Sequence, residues 1–218
     1  MTPIIALPTQ KNLQAATLKR LREAGFAFDS HTKCLRCRTD PSYAPLQVIF
    51  ESAAKAKLLL ECGAIQAAFM DVARVSSGLP SSVTLKTTIL ADDCAISLAV
   101  PRSRIDCYAT DITRLDGLKI ATSYPSLLQS WLKADDVRPR DILVLDEEDD
   151  MSIVRMSSDA ILDIWNTDSL RTLSLVSLID VASPEIGLFC SSSDQENPQG
   201  IISDVIERLL GQRALCLM

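Results

Sequence analysis

Short apolar runs that do not alternate with polar residues recur along the chain, and most are followed by a segment of helical period. This limits the fold more than any other feature. A strand apolar on both faces must be covered on both, so its alternation with helices predicts parallel or mixed sheets with flanking helices, an α/β fold. Residues 4–7 form the first run; after Pro8 and Thr9, Leu13, Ala16, Leu18 and Leu21 follow helical spacing that stops at Gly25. Residues 46–50 predict a second strand, residues 53–62 a helix ending at Gly63, and residues 65–70 a third, buried strand. Residues 94–100 form a strand stopping at Pro101, and residues 118–122 another. A helix over residues 126–133 is entered through Pro125. The spacing then gives a strand at 141–145, a short helix at 151–156 and a strand at 159–165. Residues 174–181 and 185–190 read as a returning pair of strands, and residues 201–210 as a closing amphipathic helix.

No internal repeat or low-complexity linker marks a boundary. Two crossings, near Leu98 going out and near Ser177 coming back, predict two lobes, residues 1–97 with 178–218 and residues 98–177. A cleft between them is expected, since ligands of open α/β sheets bind at the carboxyl ends of the strands.

At 218 residues and 47% hydrophobic, such a chain buries about 70% of its unfolded surface and needs no disulfide or metal to hold a core. Lys and Arg number 22 against 28 Asp and Glu, a net charge of −6 that argues against a nucleic-acid or anionic-membrane partner. The six carboxylates of residues 141–150, with no Lys or Arg among them, equal that whole excess. The first residues lack a basic segment and a signal-length apolar stretch, no run approaches a bilayer span, and the seven cysteines are odd in number. A cytoplasmic protein with reduced thiols is expected.

Several features could carry chemistry. The acidic run Asp146-Glu147-Glu148-Asp149-Asp150 offers hard oxygen ligands to a divalent metal or a cationic ligand, but fits no twelve-residue calcium loop. Its plainer reading is a solvated charge run at a helix N-terminus. Cys34 and Cys37 form one Cys-x-x-Cys with His31 nearby; no fourth zinc ligand or strand-to-helix redox setting accompanies them, so structural cysteines are the simpler assignment. His31 is the only histidine, hence the only candidate for a histidine base, and reads as a surface residue beside a turn. Tyr124 and Trp165 stand at strand ends where they could stack a purine or simply pack.

The strings Ile5-Ala6-Leu7-Pro8, Val48-Ile49-Phe50 leading to Gly63-Ala64, Ser97-Leu98-Ala99-Val100-Pro101, Lys119 to Pro125, and Ser158-Asp159-Ala160-Ile161-Leu162-Asp163 followed by Thr167 extend over nearly the whole chain. Together they resemble the short form of ATP phosphoribosyltransferase, the first enzyme of histidine biosynthesis, which joins ATP to phosphoribosyl pyrophosphate. The resemblance implies a periplasmic-binding-protein-like type II arrangement of two lobes, a glycosyl transfer assisted by Mg2+, and a nucleotide or other small phosphorylated ligand. It also implies an oligomer with a histidyl-tRNA synthetase-like regulatory subunit, this chain having no room for a regulatory domain of its own.

Matched position by position, the family's Lys-Gly-Arg falls on Gln10-Lys11-Asn12, its arginine after the second strand on Ser52, the following aspartate on Lys55, and its Asp-Leu-Gly on Gln66-Ala67-Ala68. Its Gly-Ser-Val-Glu sugar-phosphate loop falls on Glu147-Glu148-Asp149-Asp150. Each carboxylate about 4 Å from a phosphate costs roughly 4 kcal/mol at an effective dielectric near 20, so this loop reverses the potential a phosphate needs. The resemblance leaves Asp163 and Lys11 as catalytic candidates, with Thr167, Asp159, Asp150, Arg155 and Tyr124 as substrate-binding ones. Asp168 replaces the glycine after Thr167, Ser169 a cation or asparagine, and Arg171 and Arg155 are the nearest substitute cations. A paralogue that keeps the fold without the transfer is the alternative, acting as a small-molecule-binding or regulatory subunit.

Overall fold

The computed structural model describes residues 2–40, 44–75, 78–108, 115–146, 149–191 and 200–216. The chain divides into two units, Met1–Ala91 with Glu185–Met218, and Asp92–Pro184.

In the first unit, β1 (Ile4–Pro8) has Ile5, Ala6 and Leu7 fully buried because parallel neighbours flank it on both sides. Helix α1 (Lys11–Glu23) follows, burying Leu13, Thr17 and Leu21 at i, i+4 and i+8. Thr17 is tolerated there because its hydroxyl donates to the Leu13 carbonyl at 2.8 Å. The helix ends at Gly25, whose φ of +90° closes the last turn. A hairpin that the sequence reading omits comes next, β2 (Phe26–Asp29) antiparallel to β3 (Cys34–Cys37). Its turn is organised by Asp29, whose Oδ1 accepts from His31 N at 2.9 Å, so local polar bonding replaces the glycine that usually signals a hairpin.

Strand β4 (Leu46–Glu51) leads through the cap Ser52, whose hydroxyl accepts from Lys55 N, into α2 (Ala53–Glu61), which buries Ala53, Ala56 and Leu60. Strand β5 (Ala67–Asp71) is buried throughout and is followed by the single turn α3 (Val72–Val75) and by β6 (Val83–Leu90). Neither α3 nor β6 carries an apolar run that marks it in the sequence. In β6 the buried Val83, Thr87 and Ile89 are interspersed with threonine, lysine and exposed leucine, the mixed pattern of a sheet edge.

The second unit opens with β7 (Ala95–Pro101), a 3-10 turn at Arg102–Arg104 and α4 (Ile105–Tyr108). It continues as β8 (Lys119–Thr122), α5 (Pro125–Ala134), β9 (Asp141–Val144), α6 (Met151–Ser157), β10 (Ala160–Trp165), α7 (Thr167–Thr172) and β11 (Leu175–Ala182). Pro125 starts α5 as expected, and Leu128 and Leu132 bury its inner face. The five-stranded sheet runs β11-β7-β10-β8-β9, with β8, β9 and β10 mutually parallel and β7 antiparallel to both β10 and β11. Val154, Trp165, Leu175 and Ile161 form the core on one of its faces.

The chain re-enters the first unit as β12 (Glu185–Ser191), which runs antiparallel between β5 and β6, and ends in α8 (Ile201–Cys216). The seven-stranded order is β2-β3-β4-β1-β5-β12-β6. Here the returning pair is corrected: β11 and β12 occupy the expected residues but lie in different sheets and do not pair with each other. Gly187 on β12 is needed for packing, since a Cβ there would stand 2.5 Å from the Phe189 ring and 2.6 Å from Leu85 Cδ1. Arg208 of α8 donates through Nε to Asp204 at 2.8 Å and through Nη1 to Thr39 at 2.7 Å, with its guanidinium 5.6 Å from the centre of the Phe26 ring. This clasp fastens α8 beside the β2–β3 hairpin.

Candidate functional site

Most sequence-predicted site residues lie in the second unit; Lys11, the first residue of α1, is exposed in the first. In the second unit the strands sort the candidates into two groups. Asp159 precedes β10 and Thr167 follows it, and the six residues of that strand, at about 3.3 Å each, place the two some 20 Å apart at opposite ends of the sheet.

At the carboxyl end sits Asp163, 1% exposed on β10. Its Oδ2 accepts from Ser123 Oγ at 2.8 Å and its Oδ1 from Ile164 N at 2.6 Å. The parallel register that sets Leu162 beside Thr122 brings Ser123 to it, so the contact is a product of strand pairing across 40 residues. Thr167 is exposed at the first position of α7.

The first turn of α7 is already engaged. Asn166 Oδ1 accepts from Ser169 N at 2.8 Å while Ser169 Oγ accepts from Asn166 N at 3.0 Å, a reciprocal capping box. Asp168 adds an exposed carboxylate there, 3.4 Å from Arg171. The first turn of α6 is engaged in the same way. Asp150 caps it, accepting from Ser152 Oγ at 2.6 Å and Ser152 N at 2.8 Å, and these bonds hold its carboxyl below the ordinary carboxylate range. Asp149 Oδ2 accepts from Asp146 N at 2.7 Å. The described part of the acidic run is therefore a capping structure, as the charge-run reading expects; Glu147 and Glu148 lie outside the described residues.

At the amino end of the same sheet, Asp159 accepts from Lys119 N at 3.0 Å and from Arg104 Nη1 at 2.8 Å, with Arg140 Nη2 3.9 Å away. The Lys119 amide first, then the Arg104 and Arg140 guanidiniums, hold its carboxyl below the usual range against the opposing effect of burial. Arg155 Nη1 donates to the Leu173 carbonyl, tying α6 to the end of α7. Sequence reasoning did not single out Arg104, Arg140 or Ser123 because nothing local marks them; only strand order brings them to these carboxylates.

Tyr124 and Trp165 are 3% and 4% exposed, and Trp165 Nε1 donates to the Ser97 carbonyl at 3.1 Å. Both rings serve as core. Cys34 and Cys37 lie three apart on β3, so their side chains point to opposite faces and cannot share a metal. None of Cys34, Cys37, Cys62, Cys94, Cys107 and Cys190 is in a disulfide. No metal-binding group of three acidic, histidine or cysteine side chains occurs among the described residues, nor a helix long and apolar enough to cross a membrane.

Two mixed sheets with flanking helices make this a two-unit α/β protein of the type II periplasmic-binding-like class. It is similar, at 15% identity and a TM-score of 0.53, to the ATP phosphoribosyl transferase (HisG:HisZ) complex from Thermotoga maritima, covering 96% of this chain and 98% of that one. It is similar also to CbnR, a LysR family transcriptional regulator, at 12% identity and a TM-score of 0.59, covering 95% of this chain and 68% of that one. The family model for ATP phosphoribosyltransferase matches residues 75–211, more than half of the chain. The chain belongs to the ATP phosphoribosyltransferase family.

Proposed function

We propose that this family member retains the fold without phosphoribosyl transfer and acts as a small-molecule-binding or regulatory subunit. The observation that carries this reading is the state of the two helix starts that follow β9 and β10. Asp150 caps α6, the Asn166–Ser169 box caps α7, and Asp149 and Asp168 add negative charge beside them. A pyrophosphate-bearing sugar needs unclaimed N–H donors and positive potential at such turns. Gln10, Asn12 and Ser52, where the family has cations, support the same reading. The Thermotoga maritima structure is named as a two-component complex, which supports a partner for this chain, histidyl-tRNA synthetase-like by the family resemblance, or further copies of itself.

Retained transfer is the second reading, favoured by the buried Asp163 held by Ser123 and by the exposed Thr167. Adenine N1 would form a bond to ribose C1 as the bond from C1 to the pyrophosphate oxygen breaks. Asp163 would accept from ribose hydroxyls and Thr167 would donate to the sugar phosphate. The described residues assemble no magnesium site of their own, so no step is assigned to that ion.

Pyrophosphate release from ATP and phosphoribosyl pyrophosphate in the presence of Mg2+ separates the two. No release above the buffer rate is expected from the full chain, and any titration heat with phosphoribosyl pyrophosphate should be unchanged in Thr167→Val. Release that disappears in Asp163→Asn overturns the non-catalytic reading.

A further inference from the structure

The amino end of the five-stranded sheet, opposite the end that carries Asp163 and Thr167, holds a second feature. Strands β8, β9 and β10 start there and the antiparallel β7 ends there, so four separate connections converge. They deliver Lys119, Arg140, Asp159 and Arg104, and α6 adds Arg155. The result is a pocket of about 350 Å³ with four cationic side chains and one carboxylate in its wall, on a chain whose net charge is −6.

The groups that would repel an anion here are satisfied by the protein itself. Asp159 is held by the Lys119 amide and by Arg104, with Arg140 close by. The Val154 carbonyl at the end of α6 accepts from Ser157 Oγ at 3.1 Å and from Ser158 Oγ at 2.8 Å. The Leu173 carbonyl accepts from Arg155. Asp159 thus orients the guanidiniums and neutralises only part of their charge. Arg140 is 69% exposed and 3.9 Å from its partner, beyond hydrogen-bond length, so its planar donors can turn to a ligand. Asp141, 60% exposed and 3.9 Å from Lys119 Nζ, is the other carboxylate paired with this cluster.

We propose that this pocket is a binding site for a small multivalent phosphate, of the pyrophosphate or phosphate-ester class, separate from the Asp163–Thr167 end of the sheet. Its volume suits a small ligand, and arginine forks match phosphate oxygens in pairs. The inference holds whether or not the chain transfers a phosphoribosyl group.

Inorganic pyrophosphate, without metal and at low salt, is the probe, titrated calorimetrically into the full chain and followed by amide NMR. The expected result is a dissociation constant below about 1 mM that weakens as salt rises. Shifts should centre on the amides of Lys119 and Asp159. Arg140→Glu should weaken binding about tenfold or more, Arg140→Gln by less, and Thr167→Val by less than about twofold. Arg140 is mostly exposed, and Arg104→Ala gives an independent variant should Arg140→Glu fail to fold. Absence of binding at 1 mM overturns the proposal, as do shifts centred on residues 167–169 with no effect of Arg140→Glu. Equal binding of citrate and pyrophosphate overturns the assignment to phosphates.

Discussion

Ser123 and Asp163 meet through a 2.8 Å hydrogen bond inside the second unit, Ser123 Oγ donating to a carboxylate that is 1% exposed. Removing that donor leaves a buried acceptor short of a partner. Ser123→Ala should therefore lower stability by about 1–3 kcal/mol, read from urea unfolding. Asp163→Asn should couple with it: once the charge is gone the serine contributes less, and a double-mutant cycle that shows no coupling would refute the pairing.

Gly187 faces the Phe189 ring at a distance no real Cβ tolerates. Phe189 is itself buried, so the ring cannot swing away cheaply. Gly187→Ala should cost about 1–3 kcal/mol by thermal or denaturant unfolding. Adding Leu85→Ala should restore only a part, because Leu85 is half exposed and moves easily while the ring contact remains.

Asp159 ties stability to acid. Its folded pKa lies below the ordinary value of 3.8, so the unfolded chain binds the proton more readily. The contribution is fully present above about pH 4 and is lost as pH falls through the depressed folded value. Unfolding measured across the acid range should show a smaller pH-dependent loss in Asp159→Asn than in the parent chain. Equal losses would mean that the carboxylate is not held by Lys119 and Arg104.

Asp150 acts through the first turn of α6. Asp150→Ala should lower the melting temperature and Asp150→Ser should recover most of the loss, since serine also caps while carrying no charge. Because Asp149 and Asp150 already accept from the chain, magnesium, manganese or calcium should leave the parent's melting temperature where it is. A rise with any of these ions would assign the acidic run to metal binding instead.

Much of the fold is legible in the order of residues because it rests on local physics. Apolar runs around Ile5, Val48, Met70, Leu98, Ile120 and Ile161 are strands because nothing but burial accommodates them. Gly25, Gly63 and Pro125 end or begin helices through their own backbone preferences. The acidic run, read as charge before a helix, is a cap for the same reason. Where polar residues carry the structure, the pattern falls silent. The β2–β3 hairpin turns on an aspartate side chain, and β6 hides its buried positions among threonines and a lysine.

Partnership between distant residues is a matter of tertiary structure alone. Asp159, Asp163 and Thr167 stand close in sequence and read as one site, yet a strand's length separates Asp159 from Thr167. Arg104, Lys119 and Arg140, spread over 37 positions, come together around Asp159 because three parallel strands begin where a fourth, antiparallel one ends. Periodicity records which face of an element is buried. Which ends of which elements meet depends on strand order and direction, and those are set by the pairing of the whole sheet.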